Sequence, residues 1–113
     1  MGRASGLKGS FPLTKESIEK EVKRIEPGVF ALGVMNERRF QMLFVGRSDS
    51  NLAKTLKTYV GKANCFKYET YLEPEHAFRK ECELFHFFKP RANQFHPRRS
   101  KGTDWVCPDC GQY

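Results

Sequence analysis

The chain has 113 residues, with 20 Lys and Arg against 13 Asp and Glu and a net charge of +7. This length fits a single domain, and ten Phe supply enough apolar side chains for one core. No apolar run approaches the roughly 20 residues that a membrane-spanning helix needs, and the N-terminus lacks the apolar stretch of a secretory signal. We therefore expect a cytoplasmic protein, not inserted in a membrane, whose charge suits a polyanionic partner. A basic surface without such a partner is the alternative.

The N-terminal part of the chain predicts a flexible lead-in and then a helix. Residues 1–12 are mostly Gly, Ser and basic side chains before Phe11, so we expect no fixed structure there. Residues 14–25 predict a helix, because Ile18, Val22 and Ile25 recur at the spacing of one helical face. Thr14 is suited to cap its first turn.

The middle of the chain predicts a small sheet and two more helices. Apolar runs at 29–35 and 40–45, joined by a polar turn, indicate an antiparallel hairpin. Residues 49–59 predict a helix capped by its first or second residue, and the alternation over 66–72 predicts a third strand. A longer helix over 75–88 begins after Pro74 and ends before Pro90.

These elements predict an α+β fold with a small, three-stranded, mostly antiparallel sheet flanked by helices. We place the domain at residues 13–93, after the flexible residues 1–12. Residues 94–113 form a basic tail that carries a Cys pair and that we expect to pack on the last helix.

Three short motifs occur in a fixed order along the predicted elements. Gly28-Val29-Phe30 begins the first strand, and Phe44-Val45-Gly46 ends the second. On the last helix Glu81 precedes Pro90 by nine residues, and Asn93 follows. This order resembles the GIY-YIG nuclease superfamily, with Phe at both tyrosine positions, and the resemblance covers roughly residues 27–93.

The resemblance implies a divalent-metal-dependent endonuclease that acts on nucleic acid. In that family the glutamate, here Glu81, holds one Mg²⁺ or Mn²⁺ ion that polarises the scissile phosphate. Phe30 and Phe44 fall where tyrosine hydroxyls would position the attacking water, and Asn93 matches the residue that closes the site. The arginine that clamps the phosphate aligns with Thr55, or with Lys54 if the preceding loop is one residue longer.

These departures bear directly on catalysis. Phe has no hydroxyl and Thr has no fixed charge, and losing one transition-state donor typically costs about 100- to 1000-fold in rate. Other side chains could substitute for the missing donors: Arg47, Lys54, Lys57, Tyr68, Tyr71 and His76. The alternatives are core packing for the two Phe and a salt bridge for Glu81.

A second site is predicted at the C-terminus. Cys107-Pro108-Asp109-Cys110-Gly111 has the form of a zinc knuckle, in which two thiolates reach one tetrahedral ion. Cys82 and His86, at i and i+4 on the last helix, are the expected partners, with His96 as the alternative ligand. Free thiols and a redox pair are the other interpretations, and Cys65 lies too close to the third strand to take part.

The candidate nucleic-acid contacts are basic residues of the second half of the chain: Arg47, Lys54, Lys57, Arg91, Arg98, Arg99 and Lys101. Such side chains suit phosphates, although a basic run is also common on solvated surfaces. Three hypotheses follow, and the first two favour DNA as the partner. They are an endonuclease, a non-catalytic nucleic-acid-binding module of the same fold, and a zinc-stabilised protein-interaction domain.

Overall fold

A four-stranded antiparallel sheet is the centre of the computed structural model, which describes residues 5–112. Along the chain the elements are β1 (Lys8–Pro12), α1 (Lys15–Glu21), β2 (Gly28–Asn36), β3 (Arg39–Ser48), α2 (Leu52–Lys57), β4 (Cys65–Thr70) and α3 (Pro74–Phe88). The strand order is β1-β4-β2-β3. The predicted α+β class is confirmed, but the sheet has one strand more than predicted.

The additional strand lies in the segment that the sequence predicted to be flexible. β1 pairs with β4, from Lys8 opposite Tyr68 to Pro12 opposite Cys65. The Phe11 ring also packs on Phe66, with centroids 5.6 Å apart. The structure therefore differs from the prediction over residues 8–12, because β4 offers this segment a row of backbone partners. Residues 1–4 lie outside the described part of the chain.

The predicted hairpin of β2 and β3 is present. Asn36 pairs with Arg39, so the loop between them has two residues. Both loop residues have positive φ, 51° at Glu37 and 69° at Arg38. Two successive positive φ values are typical of a type I′ turn, whose twist matches that of the strands it joins.

The first helix is shorter than predicted. Thr14 caps α1 by accepting a hydrogen bond from the Ser17 amide, as expected, but the helix ends at Glu21. The Tyr68 hydroxyl donates to the Glu21 carbonyl at 2.9 Å, which satisfies an acceptor at the helix end. Ile25 is 79% exposed, so its assignment to the buried face is wrong.

The second helix begins three residues later than predicted. Its cap is Asn51, which accepts a hydrogen bond from the Lys54 amide. Asp49 instead binds Arg47, and the Ser48 hydroxyl accepts from the Asn51 amide. The predicted caps are therefore wrong, because Asp49 is used by a side chain of β3.

The sheet has a helical layer on each face. One apolar cluster joins the sheet to α1 and α2 and includes Ile18, Phe30, Leu32, Leu52, Leu56 and Phe66. The other joins it to α3 and includes Val29, Ala31, Val45 and Leu84. Successive residues of a strand point to opposite faces, which explains why Val29 and Phe30 belong to different clusters. This separation decides which candidate residues can meet.

Candidate functional site

The two Phe at the tyrosine positions lie in the core between the sheet and α2. The Phe30 and Phe44 rings are 6.2 Å apart, and the Tyr59 ring is 5.3 Å from Phe30 and 5.4 Å from Phe44. A side chain at Gly46 would bring its Cβ to 2.7 Å from the Phe30 ring. The glycine of the second motif therefore makes room for this aromatic cluster.

Glu81 lies on the opposite face of the sheet and is paired with a cation. Its carboxylate accepts a hydrogen bond from the Arg47 guanidinium at 2.7 Å, and both side chains are only 10% exposed. Arg47 also donates to Asp49 at 2.7 Å. The structure thus does not bring Glu81 together with Phe30 and Phe44.

Burial outweighs the ion pair in setting the pKa of Glu81, but not in setting that of Arg47. Burial raises the pKa of Glu81 from 4.5 to about 7, against the opposing effect of the Arg47 charge and hydrogen bond. Burial acts to lower the pKa of Arg47, but the hydrogen bonds and charges of Asp49 and Glu81 raise it above its usual value. Arg47 is therefore a permanent cation here, and Glu81 is the member of the pair that can take up a proton.

The same arginine connects the sheet to the C-terminal tail. The guanidinium lies 5.0 Å from the centre of the Phe78 ring and 5.7 Å from that of Trp105, as in cation–π contacts. It also donates to the Ser100 hydroxyl at 3.5 Å, and that hydroxyl in turn donates to Asp49. Ser100 and Trp105 belong to the tail, so Arg47 contributes to holding it on the domain.

Asn93 pairs with the edge of the sheet. Its amide nitrogen donates to the Val45 carbonyl at 2.9 Å, and its amide oxygen accepts from the Val45 N–H at 2.8 Å. The Ala92 amide donates to the Leu43 carbonyl at 2.8 Å. These bonds satisfy part of the open edge of β3 and fix where the tail departs from the sheet.

The other side chains proposed for phosphate contact lie on α2, on the face away from Glu81. Lys54 is exposed, and Lys57 forms an ion pair with Glu19 at 3.4 Å. The carbonyl of Thr55 accepts a hydrogen bond from the Thr58 hydroxyl. None of the three is positioned to share a phosphate with Glu81.

Three more side chains were considered as replacements for the missing catalytic donors, and they also lie apart from the Glu81–Arg47 pair. Tyr68 is buried and donates to the backbone of Glu21. The Tyr71 and His76 rings lie edge to face, 6.4 Å apart. Burial, reinforced by the charges of Glu69 and Glu83, raises the pKa of Tyr71 to about 12, so this phenol stays protonated at neutral pH.

Four metal-ligating side chains converge at the C-terminal end of α3. His86, His96, Cys107 and Cys110 each offer one ligand atom, and these atoms all lie within 4.8 Å of one another. The two Nε2 atoms of the histidines are 3.2 Å apart, and Cys110 Sγ lies 3.4 Å from His96 Nε2. The group can therefore hold a metal ion such as zinc.

Contacts with the local backbone orient two of these ligands, His96 and Cys110. His96 Nδ1 lies 2.7 Å from the Pro97 carbonyl, an acceptor, so Nδ1 carries the proton and Nε2 keeps its lone pair. The Gly111 amide donates to the Cys107 carbonyl at 2.8 Å, which closes the turn around Cys110. Gly111 has a φ of 77°, a conformation that favours glycine.

The structure places His96, the alternative from the sequence, in the cluster and leaves Cys82 outside it. Cys82 is fully buried and packs with Phe78 and Cys107. Burial, together with a hydrogen bond to Cys107, raises the pKa of the Cys82 thiol above its usual value, which disfavours a thiolate. Cys65 lies apart on β4, as expected.

The basic residues proposed for nucleic-acid contact in the C-terminal part lie between the metal-ligating residues His86 and Cys107 along the chain. Arg91, Arg98 and Lys101 are exposed, while Arg99 is partly buried and donates to the Trp105 carbonyl at 3.4 Å. Residues 98–103 line a shallow depression. Arg47, in contrast, is occupied by its carboxylate partners and is removed from the candidate nucleic-acid contacts.

Two parts of the site were not found from the sequence. Asp49 and Arg47 are two residues apart at a strand end, a spacing that places side chains on the same face and so could have indicated their contact. The contact of Ser100 with this pair spans about half the chain and leaves no local pattern.

Comparisons with known proteins add nothing to this geometry. The sequence matches no family model, and neither a curated protein nor a solved structure matches it. Within residues 5–112, no helix combines the length and the apolar character that crossing a bilayer requires.

Proposed function

We propose that this protein is a non-catalytic nucleic-acid-binding module of GIY-YIG-like descent, whose basic tail is held in place by a structural zinc ion. The observation that carries the proposal is the convergence of His86, His96, Cys107 and Cys110 next to exposed arginines and lysines. The relationship to the GIY-YIG family rests on the order of motifs and elements alone.

Zinc is the metal that best fits this ligand set. Two imidazoles and two thiolates form a closed tetrahedral site, which is the arrangement of structural zinc. With bonds of about 2.0–2.3 Å, the ligand atoms of such a site are about 3.3–3.8 Å apart. The separations of 3.2 Å between the two imidazoles and 3.4 Å between Cys110 and His96 are close to these values.

The ion would fix the course of a basic segment. Residues 94–112 contain no helix or strand, so few backbone hydrogen bonds hold them. Metal ligation at Cys107 and the contacts of Ser100 with Arg47 and Asp49 fasten this segment at two points. Arg98 and Lys101 are thereby presented together, a form suited to successive phosphates.

The absence of catalysis is proposed because the expected participants do not meet. Glu81 is buried against Arg47, so a divalent ion would have to displace a cation that is already hydrogen-bonded. Phe30 and Phe44 are in the core on the other face of the sheet. The guanidinium and the hydroxyl that do lie near Glu81, those of Arg47 and Ser100, are instead engaged in the ion-pair network.

Binding is tested by fluorescence anisotropy with labelled oligonucleotides between 50 and 200 mM NaCl. For a duplex, each phosphate contact contributes about −0.9 to the slope of log affinity against log salt. We expect Arg98→Glu/Lys101→Glu to weaken binding at least about 10-fold and to reduce the magnitude of the slope by roughly two.

The matched control is Lys20→Glu/Lys23→Glu, which makes the same charge change on α1 and two residues after its end, on the other side of the sheet. It should change affinity less than about 3-fold, because only screened, long-range attraction is altered. Equal losses of affinity in both variants would overturn the assignment of the tail as the binding surface. A wild-type protein that does not bind the oligonucleotides at 50 mM salt would instead leave the protein-interaction domain as the remaining hypothesis.

Catalysis is tested separately by incubating supercoiled plasmid with the zinc-loaded protein and Mg²⁺ or Mn²⁺. We expect the plasmid to remain intact over hours. Nicking by the wild type that Glu81→Ala abolishes would show a nuclease and overturn the non-catalytic assignment, whereas nicking that persists in Glu81→Ala would indicate a contaminating enzyme.

A further inference from the structure

One aromatic ring stands out on the surface of the tail. Phe95 is 73% exposed, and the only other aromatic residue classed as exposed among residues 5–112 is Phe87, at 48%. A phenylalanine that was only needed for stability would be expected in the core, since burying it contributes about 1.5–3 kcal/mol. Single exposed apolar side chains are also common on protein surfaces, so the surroundings of this ring decide whether it forms a binding site.

The backbone on both sides of Phe95 is fastened. Two residues before it, Asn93 forms its paired hydrogen bonds with the β3 backbone at Val45. The residue after it is His96, whose Nε2 belongs to the group of metal ligands. The exposed ring is thus carried on a short segment with an anchor at each end, which lowers the entropy lost when a partner binds it.

The ring borders a small depression of a suitable size. Phe95 lines it together with Phe44, Ala92, Asn93 and Gln94, and its volume is about 260 Å³. That volume lies just below the range of about 300–1,000 Å³ for pockets that enclose drug-sized ligands. The depression therefore suits one planar group rather than a whole nucleotide chain, and the Gln94 amide can both donate to and accept from the edge of such a group.

Two exposed cations are close to Phe95, one along the chain and one at a neighbouring depression. Arg91, four residues before Phe95, is exposed. Asn93 also borders a neighbouring depression that is lined by Lys89, whose side chain is exposed. An exposed aromatic ring beside a shallow depression, with cations nearby, is a combination by which single-stranded nucleic acids are bound, since the ring stacks on a base and the cations contact the adjoining phosphates.

We infer that Phe95 is a stacking platform for an unpaired base of a single-stranded nucleic acid, with Lys89 and Arg91 at the flanking phosphates. This inference rests on the proposed function and adds to it a preference for single strands over duplexes. In a duplex both faces of a base are covered by its neighbours, so only an unpaired base can stack on the ring. The protein therefore binds single strands more tightly than duplexes of the same length.

The test compares Phe95→Ala with Phe87→Ala, a matched loss of an exposed ring on α3. Affinities are measured for a 12-nucleotide single strand and for the corresponding 12-base-pair duplex at one salt concentration. We expect Phe95→Ala to weaken single-strand binding about 5- to 150-fold and duplex binding less than about 2-fold. Phe87→Ala should change neither, and Phe95→Trp should restore single-strand binding.

Zinc content and the thermal midpoint of each variant are measured in parallel, so that loss of binding cannot be confused with loss of folding. A wild-type protein that binds both probes, with Phe95→Ala and Phe87→Ala equally unaffected, overturns the stacking site and leaves the proposed function standing. A wild type that prefers the duplex also overturns it. A wild type that binds neither probe contradicts the proposed function itself.

Discussion

Glu81 and His86 lie five positions apart on α3, and each belongs to a different group of polar side chains. Glu81 is paired within the protein, because the Arg47 guanidinium supplies its counter-charge at 2.7 Å. At the second group, formed by His86, His96, Cys107 and Cys110, two imidazoles and two thiols face one another, and each offers an atom that can ligate a metal ion. The difference shows that a carboxylate on an inward face does not by itself indicate a metal site, whereas converging lone pairs do.

Both groups nevertheless act on the same segment of the chain. Arg47 contacts Ser100 and Trp105, and the metal-ligating group includes Cys107. Each therefore fixes a part of the tail that has no helix or strand of its own. The ion pair acts through charge, and the group that contains Cys107 would act through metal ligation, so the two can be removed independently.

The largest effect on the tail is expected when a metal ligand is removed. Cys107→Ser should lose the single bound zinc ion and the amide protection of residues 94–112, while the β2–β3 hairpin stays protected. Zinc binds to the structural sites of zinc-finger peptides with a free energy of about 10–16 kcal/mol at pH 7. Because this contribution is large, we expect no other interaction of the tail to compensate for the loss of one thiolate. Native mass spectrometry and hydrogen exchange measure the two changes. Cys65→Ala, which removes a thiol on β4, is the control, and full zinc occupancy in Cys107→Ser would contradict the assignment.

The next largest effect is expected at the ion pair. Arg47→Met leaves Glu81 buried without its counter-charge, which should lower the free energy of unfolding by about 3–5 kcal/mol at pH 7. Arg47→Met/Glu81→Met should recover most of that loss, because no buried charge remains. Urea denaturation of the zinc-loaded proteins measures both. If the double variant is as unstable as the single one, the pair does not act as described.

A smaller effect is expected from pH. The folded-state pKa of Glu81, about 7, is above its ordinary value of 4.5, so the folded protein binds this proton more tightly than the unfolded chain. The stabilisation is complete below about pH 4.5 and is lost as the pH rises towards 7, by roughly 3 kcal/mol at most. Unfolding of the wild type is compared with Glu81→Gln across this range. A difference between them that does not change with pH would refute the raised pKa.

The smallest effect on the metal is expected for Cys82, which the sequence favoured as a ligand. Cys82→Ala should keep one zinc ion and lose about 1 kcal/mol of stability, since it removes a small buried side chain beside Cys107. His96→Ala should lose the ion. The reverse pattern, measured by zinc titration of the two variants, would show that Cys82 and not His96 completes the site.

Local patterns in the sequence predicted much of the fold. The hairpin, the alternating strand β4 and the helix α3 were all expected, because hydrophobic period and turn residues act over a few positions. β1 was missed because its residues carry no such period and are ordered by pairing with β4. The length of α1 was overestimated because Ile25 fits the helical spacing while the chain has already left the helix.

The candidate sites were less predictable, for a physical reason. The Cys107 and Cys110 pair is a local signal, but the choice between Cys82 and His96 depends on the path of residues 94–112, which have no period. Similarly, strand alternation separates Val29 from Phe30, but which face α3 covers is decided by tertiary packing. Glu81 was thus predicted to be near residues that lie across the sheet.

We propose that a metal ion holds the tail in the shape that binds nucleic acid. The most direct test is the affinity of the same protein for a 12-nucleotide single strand before and after its zinc is removed by a chelator. We predict at least a 10-fold weaker affinity in the metal-free protein, with full recovery when one equivalent of zinc is added back. Equal affinities with and without the ion, in a protein shown to bind one zinc, would contradict the account.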